Sequence, residues 1–239
     1  MCVTLNIKFH HLLCIYTTNE ELLNIEKWSE TNNLKLNRNK SKEILFFRPR
    51  SQLSKNISIP QIIDVERVSN LKCLGVTISS NFSFSLHIRN VISSCSSNLF
   101  ALYMLRSKGL NKELLNTIFN ATTLSKLLYA SQFWWGFLTG QEKELLEAYL
   151  RRASRAGFYI RGLTFSDLVS MADKQLFRRI KSENSHLMTY LLPPLNNHFY
   201  MTRLNSAEKT YQLPSKRSAL LDKNYIIRMS LKESASVQY

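Results

Sequence analysis

The pattern of apolar and polar positions divides the chain into an N-terminal part with strands and a longer helical part. Apolar residues at helical spacing predict a helix over residues 19–33, with Asn19 as its N-cap. Three runs rich in β-branched, aromatic and other apolar residues, 43–47, 59–65 and 71–78, predict strands. The N-terminal part is therefore predicted to be a small antiparallel sheet with one helix.

Beyond residue 80 the apolar positions follow helical spacing. Helices are predicted over 83–107, from Asn111 to Trp135 and over 141–156, joined by short links as in a small bundle. Two short helices are predicted within 164–190, one from Phe165 onward and one from Asp173 to Lys181, and a mixed tail follows. The predicted fold class is α+β: a small antiparallel sheet with one helix, then an α-helical bundle and a helical C-terminal tail.

Charge points to polyanionic partners. The 239 residues carry a formal net charge of +15, from 32 Lys and Arg against 17 Asp and Glu. The excess is +4 over residues 1–80, +5 over 81–160 and +6 over 161–239, so no single tail carries it. A basic field spread over the folded body favours nucleic acid or an anionic surface as a partner.

The sequence lacks the side chains that an independent active site needs. Two-metal phosphoryl transfer requires carboxylates that lie close together. The four aspartates are Asp64, Asp167, Asp173 and Asp222, and no two of them are adjacent. The adjacent pair Glu20-Glu21 lies near a predicted helix start, where acidic residues suit the helix dipole. We predict no catalytic residue, no metal site and no cofactor for this chain.

Cysteine spacing and hydropathy predict an intracellular protein, cytoplasmic or nuclear and not secreted. None of the four cysteines forms a C-x-x-C pair, and free thiols are typical of reducing compartments. A zinc site built from Cys2, His10, His11 and Cys14 has no recognised spacing and is disfavoured. No uninterrupted apolar run approaches the length of a membrane span, and no signal peptide is apparent.

Four segments resemble, in order, the C-terminal part of reverse transcriptases of non-LTR retrotransposons. LLNIEKWSETNNLKLNRNKSKEILFF resembles the segment that follows the catalytic aspartate hairpin. VSNLKCLGVTISSNFSFSLHI resembles the primer-grip hairpin and the entry to the thumb, and LLYASQFWWGFLTGQEKELLEAYLRRASRAGF resembles the thumb. The tail, from His186, resembles the ends of jockey-like polyproteins. The resemblance covers roughly residues 19–234, and it lies in the order and spacing of the segments.

The resemblance implies a domain organisation. Residues 1–18 would form a divergent N-terminal segment, 19–80 a C-terminal palm remnant, 81–160 a thumb-like helical domain and 161–239 a helical extension. The family's aspartate pair is missing from the place before the first helix. Polymerase activity is therefore not expected of this chain, although a complete family member would use Mg²⁺. The missing polymerase portion would lie in a longer polyprotein.

The resemblance also assigns individual residues. Lys40 falls on the family's motif-D lysine, which is thought to protonate the pyrophosphate leaving group, and a solvated turn lysine is the alternative. Leu74, Gly75 and Val76 fall on the primer-grip turn, where Gly75 would let the primer backbone approach or would only relieve a bend in a strand. Loss of the palm core predicts marginal stability and an exposed apolar patch near residues 43–78.

The thumb-like region supplies the candidates for nucleic-acid contact. Arg151, Arg152 and Arg155 lie toward the end of the predicted helix 141–156, where they would contact phosphates or form a solvated charged face. Trp134 and Trp135 would stack on bases or pack in the core, and packing is favoured.

Three functions follow as hypotheses. The first is a truncated reverse-transcriptase-like protein that is inactive alone and retains weak, salt-sensitive binding to an RNA or DNA template–primer. The second is a basic helical nucleic-acid-binding or interaction protein without an enzymatic role. The third, a membrane-surface protein, depends only on net charge and amphipathic helices and is not favoured.

Overall fold

A computed structural model describes residues 14–46, 61–62, 64–183, 186–195, 211–213 and 218–236. Over these residues the chain is mostly helical, with one antiparallel strand pair and one parallel pair. The α+β character predicted from the sequence is therefore present. Contacts divide the chain into two units, with the boundary between His87 and Ile88.

The first unit begins with helix α1, Cys14–Thr31. Its predicted end is confirmed, because Asn33 takes a positive φ of 54° and the Leu34 amide donates to the Ser29 carbonyl at 2.7 Å. The predicted start is wrong. The helix extends to Cys14, so Asn19 lies inside it and is not an N-cap.

The strands of the first unit are short. Strand β1, Lys42–Glu43, pairs in parallel with β2, Glu66–Arg67. Of the strand predicted over 43–47, only Glu43 lies in β1, residues 44–46 are not in a strand, and residue 47 lies outside the described residues. Of the strand predicted over 59–65, residues 59, 60 and 63 lie outside the described residues, and Asp64, with φ 61°, is not extended.

A hairpin replaces the single run predicted over 71–78. Strand β3, Asn70–Cys73, pairs antiparallel with β4, Val76–Ser79. Leu74 and Gly75 connect them with φ values of 46° and 85°, and positive φ at both central residues is what a type I′ turn requires. The alternation that predicted one strand therefore spans two, with the turn at the glycine.

The described part of 43–78 does not expose the apolar patch that the sequence predicts. Ile44, Val65 and Leu71 are buried, as are Val76 and Ile78. Leu74, 83% exposed, is the one large apolar side chain that is exposed there among the described residues. The β3–β4 hairpin therefore buries its apolar face. Residues 47–60 and 63 lie outside the description.

Helix α2, Ser85–Ser107, contains the unit boundary near its start. The predicted ending at Lys108-Gly109 is confirmed: Gly109 has φ 89°, and the Leu110 amide donates to the Leu105 carbonyl at 3.3 Å. The predicted cap Asn111 is also confirmed, since its Oδ1 accepts from the Leu114 amide at 2.9 Å.

The continuous helix predicted from Asn111 to Trp135 is interrupted. Helix α3, Lys112–Ile118, continues as a π-helix, Phe119–Leu124, and as α4, Ser125–Leu128. The chain then turns at Ala130, with φ 52°, before α5, Ser131–Trp134, and a 3₁₀ turn, Trp135–Phe137. The indole Nε1 of Trp134 donates to the Tyr129 carbonyl at 3.0 Å across this break.

Helix α6, Gly140–Arg155, begins at a capping box formed by Thr139 and Glu142. Helix α7 spans Phe165–Ser182 without a break, so the two short helices predicted there are one. Asp173, which resembled a helix start, is buried in its middle. A 3₁₀ turn, Leu187–Leu191, and helices α8, Ala219–Asp222, and α9, Tyr225–Ser236, complete the described chain.

The core of the second unit has two recognisable parts. Trp134 and Trp135 are 1% and 8% exposed, so the prediction that they pack in the core is confirmed. Helices α7 and α9 pack through a cluster of buried apolar residues. Its members are Phe177, Ile180, Tyr211, Tyr225, Ile226 and Met229.

Candidate nucleic-acid interface

The basic turn after α1 holds Lys40 at the surface. Residues Arg38–Lys40 form a 3₁₀ turn capped by Asn37, whose Oδ1 accepts from the Lys40 amide at 3.1 Å. Arg38 is engaged with Glu26, with its Nε 2.8 Å from the Glu26 carboxylate. The side chain of Lys40 is exposed. This geometry is that of a capped surface turn, and its proton-donating role stays a prediction.

The three residues predicted as a primer-grip turn differ in their surroundings. Leu74 and Gly75 are exposed at the tip of the hairpin, whereas Val76 is 4% exposed and belongs to the core. Behind the hairpin, the Thr77 amide donates to Nδ1 of His87 at 3.4 Å. Burial lowers the pKa of His87, and the nearby charge of Lys72 lowers it further.

Metal-ligating side chains do not converge in the part of the chain that the structure describes. No group of three His, Cys, Asp or Glu residues there has the geometry to hold an ion. Asp173, 1% exposed, instead pairs with Arg228 through its Oδ2 at 2.7 Å from Nη1. The disfavoured zinc set lies outside the described side chains.

The three arginines predicted to contact phosphates do not act alike. Arg151 hydrogen-bonds to Glu144, two helical turns earlier, and this partner raises the pKa of the guanidinium. Arg152 and Arg155 are exposed and form no ion pair among the described residues. The structure thus separates one neutralised arginine from two whose charge is uncompensated.

Arg152 and Arg155 line an open groove of about 490 Å³ between the end of α2 and the end of α6. Arg106 of α2 contributes a third guanidinium. Two alanines and an aromatic ring complete the lining. The six lining residues are Tyr103, Arg106, Ala148, Arg152, Arg155 and Ala156. None of them is acidic, so the groove concentrates positive charge.

Aromatic and backbone contacts hold Arg106 in place. Its Nη1 donates to the Ala156 carbonyl at 2.9 Å, and its guanidinium carbon lies 4.9 Å from the Tyr103 ring centre and 5.3 Å from that of Phe158. The two rings meet edge to face at 4.9 Å. An arginine packed in this way has lost much of its side-chain freedom before any ligand binds.

The acidic residues of α6 are engaged away from the groove. Glu142 caps the helix start, and Glu144 pairs with Arg151. Glu147 accepts from the Phe165 and Ser166 amides, both at 2.9 Å, where it satisfies the start of α7. The guanidinium groups of the groove therefore keep their charge available for an anion.

Sequence reasoning missed Arg106 because the contacts that define its role are distant in sequence. It lies in the last turn of a helix, where a basic residue is expected to complement the helix dipole. Its acceptor, Ala156, is 50 residues away. The spacing of Tyr103 and Arg106, three positions apart on a predicted helix, is the one local signal, and it is a weak one.

Comparison of the chain with models of known protein families, with curated proteins and with solved structures finds no match. None of the helices in the described ranges combines the length and apolar character needed to cross a membrane.

Proposed function

We propose that this chain binds nucleic acid through its phosphates, using the groove formed by Arg106, Arg152 and Arg155. The observation that carries the proposal is the convergence of three guanidinium groups from two helices in a groove lined by no acidic side chain. The net charge of +15 supports it, because a field of this sign draws polyanions toward the surface.

The groove suits phosphates rather than base edges. Guanidinium groups make paired hydrogen bonds to phosphate oxygens, and each contact releases counterions from the nucleic acid. Contacts of this kind position a protein on the backbone without reading sequence. Binding is therefore expected to be weak, tolerant of sequence and steeply dependent on salt.

The same proposal places the chain in a reverse-transcriptase context. The sequence resemblance supports a palm remnant, thumb and tail of a non-LTR retrotransposon polymerase, with an RNA or DNA template–primer as the ligand. Polymerisation requires carboxylates that hold two metal ions. Since the family's aspartate pair is missing from the sequence, we propose that the chain is inactive alone. It would contribute contacts to the template–primer, and a longer polyprotein would supply the polymerase portion.

Charge reversal tests the binding proposal. Arg152→Glu/Arg155→Glu changes the net charge by four within the groove, and Arg178→Glu/Arg179→Glu makes the same change on exposed positions of α7. Fluorescence anisotropy with a labelled primer–template at low salt should show at least a tenfold loss of affinity for the groove variant, and a much smaller loss for the control.

Equal losses in the two variants would overturn the assignment of the groove and leave only nonspecific charge. Robust primer extension by the unmodified chain would overturn the proposed inactivity.

A second candidate, a protein-interaction role without nucleic acid, is favoured by one observation. Leu187 and Tyr190 of the 3₁₀ turn before Pro193-Pro194 are 85% and 87% exposed, and Leu191 is 64% exposed. Apolar exposure of this kind is typical of interaction surfaces. Affinity for template–primer no greater than that for heparin, together with indifference to charge reversal in the groove, would favour this candidate.

A further inference from the structure

We infer that the groove accepts an unpaired stretch of nucleic acid, whose bases stack on the aromatic side chains Phe100 and Tyr103 beside the arginines. The inference depends on the proposed function and specifies its ligand: single-stranded RNA or DNA, which in a template–primer is the unpaired template.

An aromatic row leads along α2 into the groove. Tyr103 lines the groove and is 40% exposed, and Phe100, one turn earlier on the same helix, is 68% exposed. Positions three apart lie on one helix face, and Arg106 is three further on. Met104, 50% exposed, flanks the row. The helix therefore presents two rings and a cation in succession on one surface.

Exposed rings beside a cationic groove suit a single strand better than a duplex. In a duplex the base faces are hidden in the stack, and a protein meets phosphates and base edges. In an unpaired strand the faces are open, and stacking on aromatic side chains tolerates any sequence because every base has a π-face. A phosphate-only site would gain nothing from Phe100, whose exposure in water is unfavourable.

Contacts within the protein hold Arg106, Arg152 and Tyr103 in place. The Arg106 guanidinium is placed by the Ala156 carbonyl and by the rings of Tyr103 and Phe158. On α6, the guanidinium carbon of Arg152 lies 5.3 Å from the ring centre of Tyr149 of the same helix. A strand that places phosphates on Arg152 and Arg155 would thus find its bases facing α2. This preorganisation lowers the ordering cost of binding.

The test compares single strands with duplex on the full chain. Anisotropy is measured with labelled oligo(dT) and oligo(rU) of about 12 nucleotides and with a blunt duplex of equal length. Because a duplex carries the higher charge density, a purely electrostatic groove binds it at least as tightly. We expect tighter binding of the single strands, with no large difference between RNA and DNA.

Removal of an aromatic ring without a change of charge gives the decisive comparison. Phe100→Ala is expected to weaken single-strand binding about five- to tenfold and duplex binding less than about twofold, with an unchanged salt slope. Tyr103→Leu should act in the same direction. Tyr190→Ala, which removes an aromatic ring that is 87% exposed and lies outside the groove, is the control. Thermal unfolding confirms that each variant is folded.

A spectroscopic signal separates stacking from packing. An oligo(dT) with one 2-aminopurine should lose fluorescence on binding to the unmodified chain and lose less with Phe100→Ala. Duplex binding equal to or tighter than single-strand binding, or unchanged affinity in both aromatic variants, would overturn the inference. If the stacking inference failed in this way but Arg152→Glu/Arg155→Glu still abolished binding, the proposed function would stand. If binding did not depend on these arginines either, both the inference and the proposed function would be wrong.

Discussion

Among the ion pairs described in the second unit, we expect the pair between Asp173 and Arg228 to cause the largest loss of stability when one partner is removed. Asp173 is 1% exposed and the Arg228 side chain 15%, so water screens the pair little. The Arg228→Met variant would strand the carboxylate in the core between α7 and α9. Breaking a buried pair by removing one partner costs about 3–5 kcal/mol. That is a large share of a total stability on the order of 5–15 kcal/mol.

Unsatisfied polar atoms around the pair lead us to expect that removing both charges costs less stability than removing one. Oδ1 of Asp173 and the Nε and Nη2 atoms of Arg228 are buried without hydrogen-bond partners among the described residues. Much of the pair's attraction is therefore offset by desolvation. The double variant Asp173→Asn/Arg228→Met, which removes both charges and keeps the shape of the carboxyl, should recover more than half of the stability that Arg228→Met loses.

The pH dependence of the stability lost in Arg228→Met provides a further check. Burial raises the pKa of Asp173, while Arg228 lowers it in part. Without Arg228 the pKa rises further, and the protonated, neutral side chain is the form the core tolerates. A raised folded-state pKa gives stability that is present at low pH and lost as pH rises through it. The deficit of Arg228→Met should therefore shrink on acidification from neutral pH toward pH ~4.

Urea unfolding followed by tryptophan fluorescence measures these effects, because Trp134 and Trp135 are buried in the same unit. A loss below about 1 kcal/mol for Arg228→Met, or a double variant no more stable than the single one, would refute the reasoning.

Three further predictions concern local structure. Gly136→Ala would place a Cβ 2.0 Å from the Lys223 backbone oxygen, so we expect a loss of about 1–3 kcal/mol in urea unfolding, and an unchanged midpoint would contradict the contact. Thr139→Ala removes the capping box of α6 and should cost about 1 kcal/mol in the same assay, with Thr139→Ser as the control that retains stability. The lowered pKa of His87 gives stability that is present above pH ~6.5 and lost as pH falls toward the folded-state pKa. The thermal unfolding midpoint should therefore be lower at pH 5.5 than at pH 7.5, and His87→Leu should make this difference smaller. An identical difference in the variant would contradict the prediction.

Short sequence signals predicted where helices begin and end better than they predicted whether a helix runs without a break. Gly109 and Asn111 mark an end and a start because their preferences act within one turn of backbone. The break at Ala130 has no such signal, since an alanine is a strong helix former and φ 52° is imposed there by its surroundings. Conversely, Asp173 resembled a helix start and lies inside α7, because its charge is met by Arg228, 55 residues away.

The candidate site was predictable in part. The charge of the predicted helix end and the resemblance to a thumb made Arg151, Arg152 and Arg155 candidates, and only tertiary structure distinguishes Arg151, which Glu144 neutralises, from the other two. Arg106 and Tyr103 join the groove from another helix, and this convergence is a property of packing rather than of any local pattern. The predicted roles of Lys40 and the Leu74-Gly75 turn stay predictions.

The salt dependence of binding tests the central claim most directly. The affinity of the full chain for single-stranded nucleic acid is measured from low to moderate salt, and log Kobs is plotted against log salt for the unmodified chain, Arg155→Gln and Arg178→Gln. Loss of one phosphate contact should make the slope shallower by about 0.7 for Arg155→Gln and leave it unchanged for Arg178→Gln. Identical slopes and affinities for all three proteins would contradict the assignment of the groove.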